Sequence, residues 1–226
     1  MLFQGIPRPL APSPATPRGR RLVTDQGRLE ELARESSIFS FEVARPPRRG
    51  AAPEQYRFRF AGPSLRLSHD GTATAVHLLM EHEVIIQLVA DYPRSPPHMR
   101  WLTPIFHPNI SPAGGICLGG WGKHWTPSLQ LDQLGELLWD MLRFANYDSR
   151  SPYNPSAATW LREQRQYSFP LDGRELRDRR QGSSSPVAAG DRFGAAVQDA
   201  GMPQGSSLKA RGGGRIDSAE ILFFDP

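Results

Sequence analysis

Cys117 is the only thiol in this 226-residue chain, and it lies in a stretch, Pro104 to Thr126, with almost no hydrophobic periodicity. Long irregular stretches inside a domain are uncommon and usually carry function. Around the cysteine stand His107-Pro108-Asn109, Gly114-Gly115, Trp121 and Trp125. A thiolate is the best side-chain nucleophile near neutrality, and a thioester is its natural covalent intermediate. Acyl transfer through such an intermediate passes a tetrahedral oxyanion, which needs a fixed hydrogen-bond donor, and the Asn109 amide is the candidate. Two other readings stand beside this one. His107 could serve as base to the thiol in a cysteine hydrolase, although no third, orienting group can be named and Pro108 stiffens the chain beside it. Alternatively Cys117, flanked by Ile116 and Leu118, is a small buried hydrophobe, the commoner fate of a lone cysteine.

Elements that can position this segment are readable on both sides of it. Downstream, Leu131, Leu134, Leu137, Leu138, Met141 and Leu142 recur at helical spacing and predict an amphipathic helix. Asn154-Pro155-Ser156 starts another, from Ala157 to about Gln166. Upstream, Phe39–Val43 and Tyr56–Phe60 alternate apolar and polar residues, as half-buried antiparallel strands do. His69-Asp70-Gly71 marks a hairpin turn, with further strands at Val76–Met80, Val84–Ala90 and His98–Leu102. Thr24 or Asp25 is expected to cap an N-terminal helix carrying Leu29, Leu32 and Ala33, with Gly27 weakening its first turn. The order is helix, strands, irregular segment, helices: an α+β arrangement around a meander sheet.

The ends differ from this middle. Pro7, Pro9, Pro12, Pro14 and Pro17 make residues 1–23 an expected disordered, extended tail. Residues 181–226 read as a flexible Gly/Ser-rich tail that finishes on the apolar Ile221-Leu222-Phe223-Phe224. The domain is therefore expected to span 24–180. No apolar run approaches the ~18 residues a membrane span needs. One cysteine excludes a disulfide framework or a multi-cysteine metal site, so neither cofactor nor metal is expected. No secretory leader is visible, and a cytoplasmic location is the expectation. The formal charge is +4, but 25 arginines are scattered among 23 acids and only Lys123 and Lys209 are lysines. No basic helix or aromatic-basic platform stands out, which argues against a nucleic-acid partner.

Asp91-Tyr92-Pro93-Arg94-Ser95-Pro96-Pro97, Pro104-Ile105-Phe106-His107-Pro108-Asn109-Ile110, Gly115-Ile116-Cys117-Leu118, Trp125-Thr126-Pro127-Ser128-Leu129 and Pro152-Tyr153-Asn154-Pro155 occur in that order. Together they resemble the ubiquitin-conjugating (E2) enzymes. His107 stands ten residues before Cys117 and Trp125 eight after it, both offsets of that family. The likeness covers roughly Asp25 to Arg165. It implies the UBC fold: an N-terminal helix, a four-stranded antiparallel meander, a cysteine loop and packed C-terminal helices. It also implies a catalytic Cys117 that takes a ubiquitin-like modifier from an E1-type activating enzyme and passes it to an amine of a protein target. Asn109 matches the asparagine that supports the loop and the oxyanion. His107 and Pro108 match loop-fixing residues, Ser151 a gate opposite the cysteine, and Trp125 with Pro127 a support for a partner-binding loop.

Several positions depart from the family pattern. Arg94 stands where ligase-dependent members often carry an aromatic, and Ser128 where alanine is frequent, so ordinary ligase docking is in doubt. Gly119-Gly120 follows Leu118 where an aspartate often sits. Asp148 is kept among the acidic positions beyond the second helix, but Arg150 intrudes there. These departures fit a divergent member of bacterial type with a non-standard modifier. A non-catalytic UBC-fold binding module is the alternative, and such modules lack the cysteine.

Overall fold

The computed structural model describes residues 16–47, 50–70, 73–118 and 125–179. All of them fall in one unit that ends at Ser183. The terminal tails expected from the sequence lie, apart from 16–23, outside the described residues, as do Gly119, Gly120, Trp121 and Lys123.

Helix α1 spans Pro17–Glu35, and its cap stands eight residues before Thr24, the earlier of the two expected caps. Thr16 caps it, its Oγ1 accepting the Gly19 N–H at 3.0 Å, and Pro17 occupies the first turn. Proline is excluded from helix interiors but suited to that position, where its missing N–H would have no partner. Residues 17–23, expected in the extended tail, are helical, and Leu22 is fully buried. Asp25 is consequently no cap: it sits inside the helix on the buried stripe of Leu22, Leu29 and Leu32, which faces β1 and the second helix.

Four antiparallel strands follow in the order β1-β2-β3-β4: Phe39–Val43, Gln55–Asp70, Ala73–Gln87 and His98–Trp101. Phe39 pairs with Phe60 and Val43 with Tyr56, which sends Phe39, Tyr56, Phe58, Phe60, Val84 and Ile86 to the buried face. The expected hairpin forms, with Asp70 opposite Ala73. β2 and β3 are longer than the alternating runs suggested. Gly62-Pro63 is absorbed in a bulge between Ala61 and Ser64, a place where proline's lost donor does no harm. Gly62 is needed there because a Cβ would lie 2.5 Å from the Trp139 ring.

Helices α2 (Leu131–Leu142) and α3 (Pro155–Glu163) complete the α+β fold. α2 buries Leu131, Leu134, Leu138, Trp139, Met141 and Leu142 against the sheet and α1. Each such side chain contributes about 1.5–3 kcal/mol when fully buried. Asn154 caps α3 through the Ala157 N–H, and the helix stops at Glu163, short of Gln166.

After Glu163 the chain runs on as a strap without helix or strand to residue 179. Leu176 is buried over Gly135 of α2. Arg177 donates to Asp132 and Glu136, both at 2.6 Å, and to Glu35. The Arg174 carbonyl accepts the Trp139 indole N–H at 2.9 Å, and the Asp172 carbonyl accepts from Arg143 at 3.0 Å. Both ends of α1 are thus tied down, one by its cap and the other by the strap.

Candidate functional site

The approach to Cys117 is a tight backbone weave. Ser111 donates its N–H to the Gly115 carbonyl at 2.8 Å, and its Oγ accepts the Gly115 N–H at 2.9 Å. Gly114, at φ 87°, lets its own carbonyl accept the Trp101 N–H at 2.8 Å. A Cβ there would come within 2.1 Å of the Trp101 oxygen, so this crossing requires glycine. Ile116 then bridges to Ile110, and the Cys117 N–H reaches the Asn109 carbonyl at 2.8 Å. The nucleophile candidate and the oxyanion candidate are therefore hydrogen-bonded neighbours, and Cys117 is half-buried.

Asn109 is 4% exposed and faces the loop that follows α2. Its Nδ2 donates to the Asp148 carbonyl at 2.8 Å, and its Oδ1 accepts the Asp148 N–H at 2.7 Å. One amide thus replaces a strand's worth of pairing, and Nδ2 keeps its second N–H. Pro108 contributes through its carbonyl, which accepts the N–H groups of Tyr153 and Asn154 at 2.7 and 2.8 Å. The Asp148 carboxylate accepts from the backbone N–H groups of Arg150 and Ser151 at 2.8 and 3.3 Å. Ser151 is exposed on this loop, and the Tyr153 ring lies against Gly115. The loop with Ser151 and the segment with Cys117 are joined through Asn109.

His107 is fully buried. Its Nδ1 accepts the Asn109 N–H at 3.1 Å, which leaves the proton on Nε2. The ring packs on Phe144 at 4.6 Å. Burial pushes its pKa down to about 3, opposed by the Met141 carbonyl, although Nε2 lies outside hydrogen-bond geometry with any group. A neutral imidazole with no solvent exposure and an occupied Nδ1 is not a base for Cys117. The hydrolase reading loses its second residue. Phe144 itself leaves α2 at φ 61°, a backbone conformation costing about 1–2 kcal/mol for a non-glycine residue. Its ring is held by His107 and by Phe169 at 4.8 Å.

Trp125 donates its indole N–H to the Pro93 carbonyl at 2.7 Å and packs beside Tyr92. Tyr92 leads into a network that the sequence does not reveal. Its hydroxyl donates to Asp25 at 2.6 Å, while Arg21 reaches Asp25, the Tyr92 hydroxyl and the carbonyls of Pro127 and Leu129. Burial pushes the Asp25 carboxyl up, opposed by Tyr92, Arg21 and the Leu131 N–H. This buried cluster ties α1 to the segments around Tyr92 and Trp125. Proline-rich neighbours hid Arg21; Thr16-Pro17, a cap followed by a first-turn proline, is the signal that would have found it.

A family model described as ubiquitin-conjugating enzyme matches residues 70–170, which include Asn109, Cys117, Trp125 and Ser151. This region is similar to the ubiquitin-conjugating enzyme family. The E2 family likeness extends past the matched region. "Ubiquitin-conjugating enzyme E2 2" of Candida glabrata is 29% identical over 154 residues, covering 66% of this chain and 78% of that protein. "Ubiquitin-conjugating enzyme E2 13" of Schizosaccharomyces pombe is 33% identical over 86 residues, 38% of this chain and 55% of that protein. A solved ubiquitin-conjugating enzyme E2 domain from Toxoplasma gondii has 26% identity and a TM-score of 0.45, covering 65% of this chain and 88% of that one. The fold is the UBC fold. These E2 relatives are all eukaryotic, so the expectation of a bacterial member finds no support in them. Among the described residues no helix is long and apolar enough to cross a membrane.

Proposed function

We propose that this chain is an E2-type transferase with Cys117 as its nucleophile. The sulfur attacks the thioester carbonyl that joins a ubiquitin-like modifier to an activating enzyme. A new C–S bond forms and the activating enzyme's cysteine leaves as a thiolate. A target amine then attacks the Cys117 thioester: the C–N bond forms, the C–S bond breaks, the thiolate returns to Cys117 and the amine's proton passes to solvent. Asn109 holds the loop for this second step and directs its remaining N–H to the oxyanion. His107 and Pro108 fix the loop, Ser151 lies at the gate, and Trp125 supports the loop that meets partners. The reading assigns the work to the cytoplasm and leaves the need for a ligase open.

The observation that supports it most is the joining of Cys117 to Asn109, and of Asn109 to Asp148, in a region matched to this family. Incubation with an activating enzyme, ubiquitin and ATP tests it. A reductant-sensitive adduct on Cys117 is expected. A protein that binds ubiquitin yet forms no adduct would be a non-catalytic UBC-fold module instead.

A further inference from the structure

The segment that follows α2 and is joined to Cys117 through Asn109 carries more positive than negative charge. Between Met141 and Arg162 the only carboxylate is Asp148, against Arg143, Arg150 and Arg162. Arg143 is spent on Asp140 and the strap. The other two are not neutralised: no carboxylate among the described residues pairs with Arg150 or Arg162. Exposed arginines are common in this chain, so exposure alone would mean little. These two differ in meeting on one short loop, Arg150 through its backbone and Arg162 through its guanidinium. The Arg150 N–H is held by the Asp148 carboxylate, and the Arg162 guanidinium donates to the Ser149 carbonyl at 3.3 Å and to the Thr159 hydroxyl at 3.2 Å. Asp148 is the residue clamped by Asn109, which in turn holds the Cys117 N–H. Two unpaired cations, Arg162 with its guanidinium on the Ser149 carbonyl and Arg150 held through its backbone, therefore lie beside Ser151, the residue that the proposed function puts at the gate.

We propose that this site takes its amine from acidic protein segments, with Arg150 and Arg162 selecting carboxylates that flank the target lysine. The inference rests on the thioester reading of Cys117. Guanidinium groups suit it because they stay charged and present several donors to a carboxylate in one plane. Selection of this kind acts at the surface, so each contact is modest and weakens with salt. The same two charges would disfavour a lysine flanked by arginines, which sharpens the choice.

Cys117 is the only thiol, so a ubiquitin C-terminal mercaptoethanesulfonate thioester can charge it by exchange, with no activating enzyme. Aminolysis of that adduct is then followed with two peptides, one with the lysine flanked by glutamates and one flanked by alanines. At low ionic strength the acidic peptide is expected to react about 3- to 10-fold faster. In the Arg150→Glu, Arg162→Glu double variant that ratio should fall to one or below. Equal rates in the unaltered protein, or a ratio that the double variant leaves in place while both rates fall, would overturn the proposal and assign the arginines to the modifier. If Cys117 cannot be charged, the thioester reading fails on its own. Fluorescence anisotropy of the acidic peptide on Cys117→Ala protein then decides: binding weakened at least about 3-fold by the double variant sustains the selection, and unchanged binding ends it.

Discussion

The side-chain amide of Asn109 and the backbone of Asp148, 39 residues apart, close a ring of two hydrogen bonds, one in each direction. The Asn109 amide sits where water cannot replace a lost partner easily, since Asn109 is 4% exposed. Bracing and oxyanion support can therefore be separated by choosing which half of the amide is lost. Asn109→Ala should slow discharge to lysine by about 10²-fold, with loading nearer normal. Asn109→Asp keeps an acceptor for the Asp148 N–H but no donor. Discharge as slow in Asn109→Asp as in Asn109→Ala, with a higher melting temperature in the former, is the expected pattern.

Cys117→Ser should replace a labile thioester by a reductant-resistant oxyester, and Cys117→Ala should give no adduct. Gel analysis with and without reductant reads this directly. Adduct on the alanine variant would move the chemistry elsewhere.

Stability should fall on acidification, through two buried rings. Burial lowers His82 to about 4, opposed by the Leu79 and Gly62 carbonyls, and His107 to about 3. An unfolded histidine takes up its proton near 6.5. Between 6.5 and those lower values the unfolded chain binds more protons than the folded one. Stability is thus full above about pH 6.5 and is lost as pH falls, by up to about 1.4 kcal/mol per pH unit for each ring. Asp25, pushed up by its burial, acts in the opposite sense. Urea midpoints at pH 7, 6 and 5 check the trend, and His107→Asn should make it shallower. A flat profile would contradict it.

Arg177→Ala should destabilise the domain by about 3 kcal/mol, because Asp132, 4% exposed in its side chain, loses its shortest ion pair and keeps only Arg28 at 3.7 Å. Denaturant unfolding measures it; a loss below about 0.5 kcal/mol would mean solvent replaces the guanidinium.

Gly27 lies inside α1, and a Cβ there meets nothing within 4 Å. Gly27→Ala should therefore raise stability by about 0.5–1 kcal/mol, read as a higher denaturation midpoint. A decrease would show that this surface is already covered.

What the sequence discloses is what repeats at short range. The leucine spacing of 131–142 and the alternation of Phe39–Val43 give elements whose observed bounds match the reading. The motif around Cys117 points to a loop because its glycines and prolines break both periods. Legibility ends where a partner is distant. Nothing local announces that Arg21 reaches the Leu129 carbonyl, or that Arg177 will sit among Glu35, Asp132 and Glu136. Local cues also mislead where a residue type has two uses: Pro17 stops helices and starts this one. Gly62-Pro63 obscured β2 for the same reason, as a turn signal spent on a bulge.

The strap has a consequence for synthesis on the ribosome. Chain growth delivers residues 172–179 after every other described part of the domain, and after the stretch holding Cys117 and Ser151. Until they emerge, the Trp139 indole N–H has no acceptor, the Asp132 carboxylate lacks Arg177, and the hollow over Gly135 is unfilled by Leu176. A nascent chain halted at Pro170 has its cysteine loop already made but α2 still uncovered on one flank. Completion of the domain is thus postponed to its final few residues, well after Cys117 has been added to the chain.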